Sequence, residues 1–95
     1  MEIRMMAPPD FSELTERFFQ DIDRIFGTEE EILKFAVENF SIESRVYLRD
    51  YLSYLVGSSV SDAELLQIWK SSKAHWLFRS APPLRLLLCK IRDRL

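Results

Sequence analysis

Apolar residues recur at helical spacing near the start of the chain. Positions three or four apart are apolar over about fifteen residues, which places their side chains on one face of a helix. They are Phe11, Leu14, Phe18, Ile22 and Ile25. Gly27 follows, and glycine readily adopts the left-handed conformation that commonly ends a helix. The pattern predicts a first helix that ends with a left-handed cap at Gly27.

Polar capping signals predict the starts of three further helices. Thr28 stands three positions before Glu31, and Ser61 stands three positions before Glu64. In this arrangement the hydroxyl and the carboxylate satisfy free backbone N–H groups at a helix start. Ser41 is the predicted start of the helix between these two.

Apolar stripes assign the inward faces of these helices. The second helix, to about Phe40, carries Ile32, Phe35, Ala36 and Phe40; the third carries Tyr47, Leu48, Tyr51, Leu52 and Leu55; the fourth carries Leu65, Ile68 and Trp69. Gly57 is the predicted end of the third helix. Pro82 and Pro83 suit the first turn of a last helix. Its stripe is Leu84, Leu87, Leu88, Ile91 and Leu95.

The remaining stretches suggest a simple organisation. Residues 71–81 are less periodic and fit a short helix or an extended link, and no stretch alternates as a strand does. The sequence therefore predicts an all-α fold, a compact single-domain bundle of about five helices. Residues 1–10 are predicted to be a flexible N-terminal segment and residues 11–95 the helical domain.

Composition bounds the environment of the protein. A chain of 95 residues makes one domain. Its single cysteine, Cys89, excludes an internal disulfide and a thiol metal cluster. Glu2 and Arg4 interrupt the N-terminus, which lacks a signal-peptide core, and no stretch approaches the roughly 18 apolar residues of a membrane span. We expect a cytoplasmic protein.

Catalysis has little support in the sequence. Asp21 and Asp23 would point about 200° apart on a helix and could not converge on one substrate atom. His75 and Cys89 are the single histidine and cysteine, so a nucleophilic dyad would require them to meet across the fold. No ligand cluster has metal-binding spacing, and two glycines cannot form a phosphate-binding loop. We predict no enzyme activity, no metal and no cofactor.

The charges are distributed very unevenly, although the formal net charge is only −2. Residues 1–31 contain nine acidic and three basic residues, whereas residues 65–95 contain seven basic residues and one acidic residue. Asymmetry of this kind bears on partners and electrostatic fields rather than on the fold. Two interaction hypotheses follow, one for each end of the chain.

The first hypothesis is a protein partner with a basic surface. Glu13, Glu16 and Asp23 are predicted to share the outer face of the first helix around Gln20, and an acidic run follows at residues 29–31. Capping explains Glu31, but it does not require the other acids. Charge complementarity of this kind speeds the encounter with a basic protein.

The second hypothesis is a small nucleic-acid-binding or regulatory domain. It would use the basic C-terminal third, namely Arg85, Lys90, Arg92 and Arg94. These side chains are split between the two sides of the leucine stripe, which is more typical of a solvated surface than of a surface that reads a groove.

Asp21, with Arg17 and Arg24 at helical spacing, is interpreted as a structural acid that forms ion pairs with these two arginines.

The segment F-F-Q-D-I-D at residues 18–23 resembles one found in small immunity proteins of bacterial contact-dependent growth inhibition systems, the CdiI-type family. The resemblance continues through "FGTEEEILKF", "SDAELLQIW" and the C-terminal "IRDRL", and covers residues 11–95. The family often has His where Phe19 stands, and Trp or Tyr where Ile22 stands.

The resemblance implies a function. Proteins of this family bind the C-terminal toxin domain of a surface-delivered effector and neutralise it in the cytoplasm. Such toxins are commonly nucleases, whose clefts are basic because they hold phosphates. We therefore expect a 1:1 complex of a monomer with a toxin domain, without direct contact to nucleic acid or membrane. The predicted contact residues are Glu16, Gln20, Asp23, Glu29 and Glu30.

Overall fold

The computed structural model describes residues 6–95, and within that range all regular secondary structure is helical. The helices are α1 (Pro9–Glu16), α2 (Ile22–Ile25), α3 (Glu29–Val37), α4 (Ile42–Val56), α5 (Asp62–Lys70) and α6 (Ala81–Arg94). The all-α prediction is confirmed. Half of the predicted flexible segment, residues 1–5, lies outside the described residues, and α1 already includes Pro9 and Asp10.

The predicted first helix is divided in two. It ends at Glu16, and a turn leads to the single turn of α2. The backbone carbonyl of Phe18, which a continuous helix would use internally, instead accepts a 2.8 Å hydrogen bond from the backbone N–H of His75. The division of the predicted first helix accounts for the sixth helix among the described residues, one more than the five or so predicted.

The predicted N-caps are confirmed. The hydroxyl oxygen of Thr28 accepts a hydrogen bond from the backbone N–H of Glu31 at 3.2 Å, and that of Ser61 accepts one from Glu64 at 3.2 Å. Ser41 caps α4 in the same way through the N–H of Ser44. Local signals therefore set the starts of α3, α4 and α5.

The predicted helix ends are only partly right. Gly57 ends α4, but neither it nor Gly27 has a positive φ, so the left-handed cap at Gly27 is wrong. The left-handed residue among those described is Asn39, with φ 64°, in the connection between α3 and α4. Asparagine tolerates this conformation better than most residues. α3 has already stopped at Val37, because the backbone of Glu38 is extended with ψ 156°, and it does not continue to Phe40.

The core is centred on α6, which packs against α3, α4 and α5, while α1 packs on α4 and α2 on α3. The predicted stripes of α4 and α6 supply a large part of it, and their fully buried members are Leu48, Leu52, Leu55, Leu84, Leu88 and Ile91. Two positions of the predicted stripes are wrong: Tyr47 is 56% exposed and Ile25 is 64% exposed, and both lie outside the core. Within residues 6–95 no helix is long and apolar enough to cross a membrane.

Residues 71–80 form an irregular link between α5 and α6. The indole N–H of Trp69 on α5 donates a 2.7 Å hydrogen bond to the carbonyl oxygen of Trp76 in the link. The rings of both tryptophans also contact Phe18. The link is therefore held against the segment that precedes α2, which includes the predicted contact residue Gln20.

Candidate partner-binding surface

The segment at residues 18–23 is anchored by its apolar members. Phe18 and Ile22 are completely buried. The Phe18 ring packs edge-on against Trp76 and Trp69, with centroid separations of 5.1 and 5.9 Å. Gln20, by contrast, is exposed in the turn. Phe18 and Ile22 thus hold the segment in place, and its polar side chains face solvent.

Asp21 and Asp23 have different surroundings. Asp21 directly precedes α2, and its carboxylate lies 3.9 Å from the guanidinium of Arg24, with both side chains largely exposed. Asp23 lies in the first turn of α2 and forms no ion pair with any residue of the described chain. It therefore presents a free negative charge to solvent.

The predicted bracketing of Asp21 by two arginines is wrong on one side. Arg17 turns away from Asp21, because its guanidinium donates to the carbonyl oxygens of Ala36, at 3.0 Å, and of Phe35 and Glu38. It also lies 4.2 Å from the centre of the Phe40 ring. Asp21 thus has only a weak exposed pair, worth a few tenths of a kcal/mol.

Three of the predicted contact residues form ion pairs within the chain. Glu29 and Glu30 on α3 lie 2.8 Å from Lys90 and 2.5 Å from Arg94 on α6, respectively. The carboxylate of Glu16 lies 4.0 Å from the ammonium of Lys73 in the link, and both are well exposed. The acidic first third of the sequence and its basic last third are therefore partly matched to each other.

The structure also changes the geometry of the proposed acidic surface. Glu16 is the last residue of α1, Gln20 lies in the turn and Asp23 belongs to α2. The prediction that they share one face of a continuous helix is wrong, because the helix is interrupted between them. Glu29 and Glu30 do lie side by side, at the start of α3.

The basic side chains of the nucleic-acid hypothesis also form ion pairs within the chain. Lys90 and Arg94 pair with α3, and Arg92 lies 3.4 Å from Asp93. Arg85 pairs with Asp62 at 3.0 Å and donates to the carbonyl oxygens of Val56 and Val60. This pairing reduces the positive charge that such a surface would offer to phosphates.

One ion pair of the α3–α6 contact makes stability depend on pH. The hydrogen bond from Arg94, together with its charge, lowers the pKa of Glu30 below its ordinary value of 4.5. A carboxyl whose pKa is lowered on folding contributes stability above the pKa of the unfolded chain, and this contribution is lost as the pH falls through the folded value.

Replacing Glu30 by glutamine is therefore expected to destabilise the protein at pH 7 and to do so by less at pH 3. Urea unfolding at both pH values measures the change in the free energy of unfolding. Arg94→Gln is the matched control, and its effect at pH 7 should not add to that of Glu30→Gln, since both remove the same pair. Equal differences at the two pH values, or additive effects, would contradict this assignment.

The chemically reactive residues have simple surroundings. His75 is exposed in the link, and Cys89 is half-buried on α6. Within the described part of the chain no three His, Cys, Asp or Glu side chains are placed to hold a metal ion. A groove of about 540 Å³ runs between α5 and the link, and its lining includes Leu66, Leu77 and Phe78 but neither His75 nor Cys89.

Sequence reasoning missed two acids, Glu43 and Asp50, on α4. Both side chains are exposed and form no ion pair with any residue in positions 6–95. Their helical positions could have identified them, since both lie on the side of α4 opposite Leu48.

Comparisons of the chain with protein-family models, with curated proteins and with solved structures find no match.

Proposed function

We propose that this protein is an immunity protein that binds and neutralises the C-terminal toxin domain of a contact-dependent growth inhibition effector in the cytoplasm. The observation that carries the proposal is the arrangement of residues 18–23. Phe18 and Ile22 are buried and hold the segment, while Gln20 and Asp23 face solvent, and Asp23 has no ion pair within the described chain. The segment that resembles the family is thus anchored inside and polar outside.

The proposed partner is basic, because the toxins of such systems are commonly nucleases. An unpaired carboxylate on a fixed helix attracts a basic cleft, speeds the encounter and fixes its orientation. Asp23 suits this role best among the five predicted contact residues. To pair with basic residues of the partner, Glu29 and Glu30 would have to give up their ion pairs with Lys90 and Arg94. The loss of these pairs offsets much of what the two glutamates could contribute to the binding free energy.

The proposed action is binding alone, by a monomer in a 1:1 complex. Neutralisation then requires only that the bound protein cover the basic cleft or its rim. No chemical step by His75 or Cys89 is involved. The same reasoning assigns no role to a cofactor.

The test is co-purification with the polypeptide encoded beside this protein, followed by calorimetry on the purified pair. We expect that polypeptide to carry a toxin domain, and co-expression of this protein to restore growth. Asp23→Lys should raise the Kd by about tenfold or more, close to 1.4 kcal/mol, and slow association at low salt.

Asp21→Lys is the matched control for Asp23→Lys, because it makes the same charge change two positions away. It should alter the Kd by less than about threefold, since Asp21 already faces Arg24. Equal effects of the two variants would show that only net charge matters and that Asp23 is not a contact residue. A neighbouring polypeptide that is not toxic, or that does not bind, would overturn the proposed function.

A further inference from the structure

The first half of α4 exposes an unusual set of side chains. Ile42 is 83% exposed, Tyr47 56% and Val46 39%. Glu43 and Asp50 are exposed beside them. We call these five residues the α4 outer face. On a helix, positions three and four apart are neighbours, so the five side chains form one continuous surface.

The apolar members of this surface do not belong to the hydrophobic core. A helix on the outside of a globular domain normally directs polar residues to solvent. Single exposed apolar side chains are ordinary, and Ile25, Leu77 and Leu86 are exposed on three separate segments. The α4 outer face differs because three large apolar side chains are grouped on one helix.

The charges on the surface indicate the kind of partner. Neither Glu43 nor Asp50 forms an ion pair with a described residue, unlike Glu29 and Glu30. Glu43 lies in the first turn of α4, where it also favours the helix dipole. Asp50 lies in the middle of the helix, where an aspartate has no such benefit and a low helix propensity. Two unpaired acids beside apolar side chains suit a basic protein.

A basic residue, Arg49, lies at the edge of this surface. Arg49 is exposed and is turned by about 100° around the helix from Asp50. Arg45, the other base in this part of α4, points inward and donates to the carbonyl oxygens of Val37 and Arg94 at 2.8 and 2.7 Å. The acids of the α4 outer face are therefore not neutralised from within.

We propose that the α4 outer face is a contact surface for the basic toxin domain, in addition to the segment around Asp23. This inference rests on the proposed function and names a second part of the same interface. Tyr47 is the expected anchor, since tyrosine buries a large ring, retains a hydroxyl for hydrogen bonding and is enriched among the residues that dominate binding energies. Glu43 and Asp50 would face bases of the toxin, and Ile42 and Val46 would exclude water around Tyr47.

The experiment measures binding of the purified toxin domain to the full chain and to three variants. Tyr47→Ala is expected to raise the Kd at least tenfold, mainly through faster dissociation. Asp50→Lys is expected to raise it by about tenfold, with slower association at low salt. Arg49→Glu is the matched control on the next residue, and it should leave the Kd unchanged or lower it. Circular dichroism melting should be nearly unchanged in all three, since these side chains are exposed.

The outcomes separate this inference from the function on which it rests. If the unaltered chain does not bind the toxin domain, the proposed function fails. If it binds, Asp23→Lys weakens binding, and Tyr47→Ala and Asp50→Lys bind as the unaltered chain does, the α4 outer face alone is overturned. Light scattering on the free protein adds a further outcome. A dimer that Tyr47→Ala converts to a monomer would assign this surface to a second copy of the chain and overturn the inference.

Discussion

Replacing Phe18 by alanine is expected to lower the free energy of unfolding by about 3–5 kcal/mol, the range for deleting a buried aromatic side chain. Phe18 is completely buried, and its ring contacts Trp69 and Trp76 edge-on. Truncation would leave a cavity where the link between α5 and α6 meets the segment before α2. Domains of this size are stable by only about 5–15 kcal/mol, so a large part of that margin would be lost.

Phe19→Ala is the matched control for this prediction. Phe19 is the same residue type one position later, but it is only half-buried and packs on Phe35 with a centroid separation of 6.2 Å. We expect it to cost about 1–2 kcal/mol, because less apolar surface is removed from the core. Urea unfolding of both variants measures the difference. Equal losses would contradict the assignment of Phe18 as the anchor of residues 18–23.

The two variants also separate stability from binding. Because Phe18 holds the segment that presents Asp23, its loss should weaken binding of the proposed partner indirectly, even under conditions where the variant is folded. Phe19→Ala should preserve the position of Asp23 more closely. A Phe18→Ala variant that is destabilised but binds normally would show that the position of Asp23 does not depend on this packing.

Helix starts could be predicted from the sequence because the signals are local. The hydroxyl oxygens of Thr28, Ser41 and Ser61 each accept a hydrogen bond from the backbone N–H three residues later. The apolar stripe of α6 was equally clear, since the last helix is contacted by three others and needs a wide buried face. Fold class follows from such local patterns together.

The interruption of the first helix could not be predicted in the same way. It depends on the hydrogen bond from His75 to Phe18, which joins positions 57 residues apart in the sequence. The exposure of Tyr47 is a related case, because its helical position allows it to lie at the edge of the core or outside it. Tertiary contacts decide such positions, and the periodic pattern does not contain them.

The charge asymmetry predicted opposite surfaces, whereas the fold brings many of the opposite charges together. Glu29 and Glu30 meet Lys90 and Arg94 because α3 packs against α6. The acids that remain unpaired within the described chain, Asp23 among them, are therefore better candidates for contact than the acidic run itself. Net charge along a sequence does not reveal which charges are already matched.

Three arginines have a structural role that their sequence positions did not suggest. Arg17 donates to carbonyl oxygens at the end of α3, Arg45 to those at the ends of α3 and α6, and Arg85 to those at the end of α4. The last carbonyls of a helix lack partners within the helix and carry partial negative charge. Guanidinium groups with several N–H donors suit them well. These contacts join elements that are distant in sequence.

The Arg17→Ala variant tests this role, and it is expected to lose about 2–3 kcal/mol of unfolding free energy. The side chain of Arg17 is 15% exposed and donates to the carbonyl oxygens of Phe35, Ala36 and Glu38. Hydrogen bonds to a charged donor are worth more than neutral ones, and their removal leaves half-buried carbonyls unsatisfied. The loss corresponds to a fall in Tm of roughly 10–20 °C for a domain of this size.

Two further variants identify the physical origin of the loss. Arg17→Met keeps the apolar stem but removes the donors, so it should be nearly as destabilising as Arg17→Ala if the carbonyl contacts are responsible, and much less so if stem packing is. Arg24→Ala is the matched control, because Arg24 is 83% exposed and its one ion-pair partner within residues 6–95 is Asp21, at 3.9 Å. It should change the unfolding free energy by less than about 0.5 kcal/mol. If Arg17→Ala and Arg24→Ala were equally mild, the end of α3 would be satisfied by water, and Arg17 would be an ordinary surface residue.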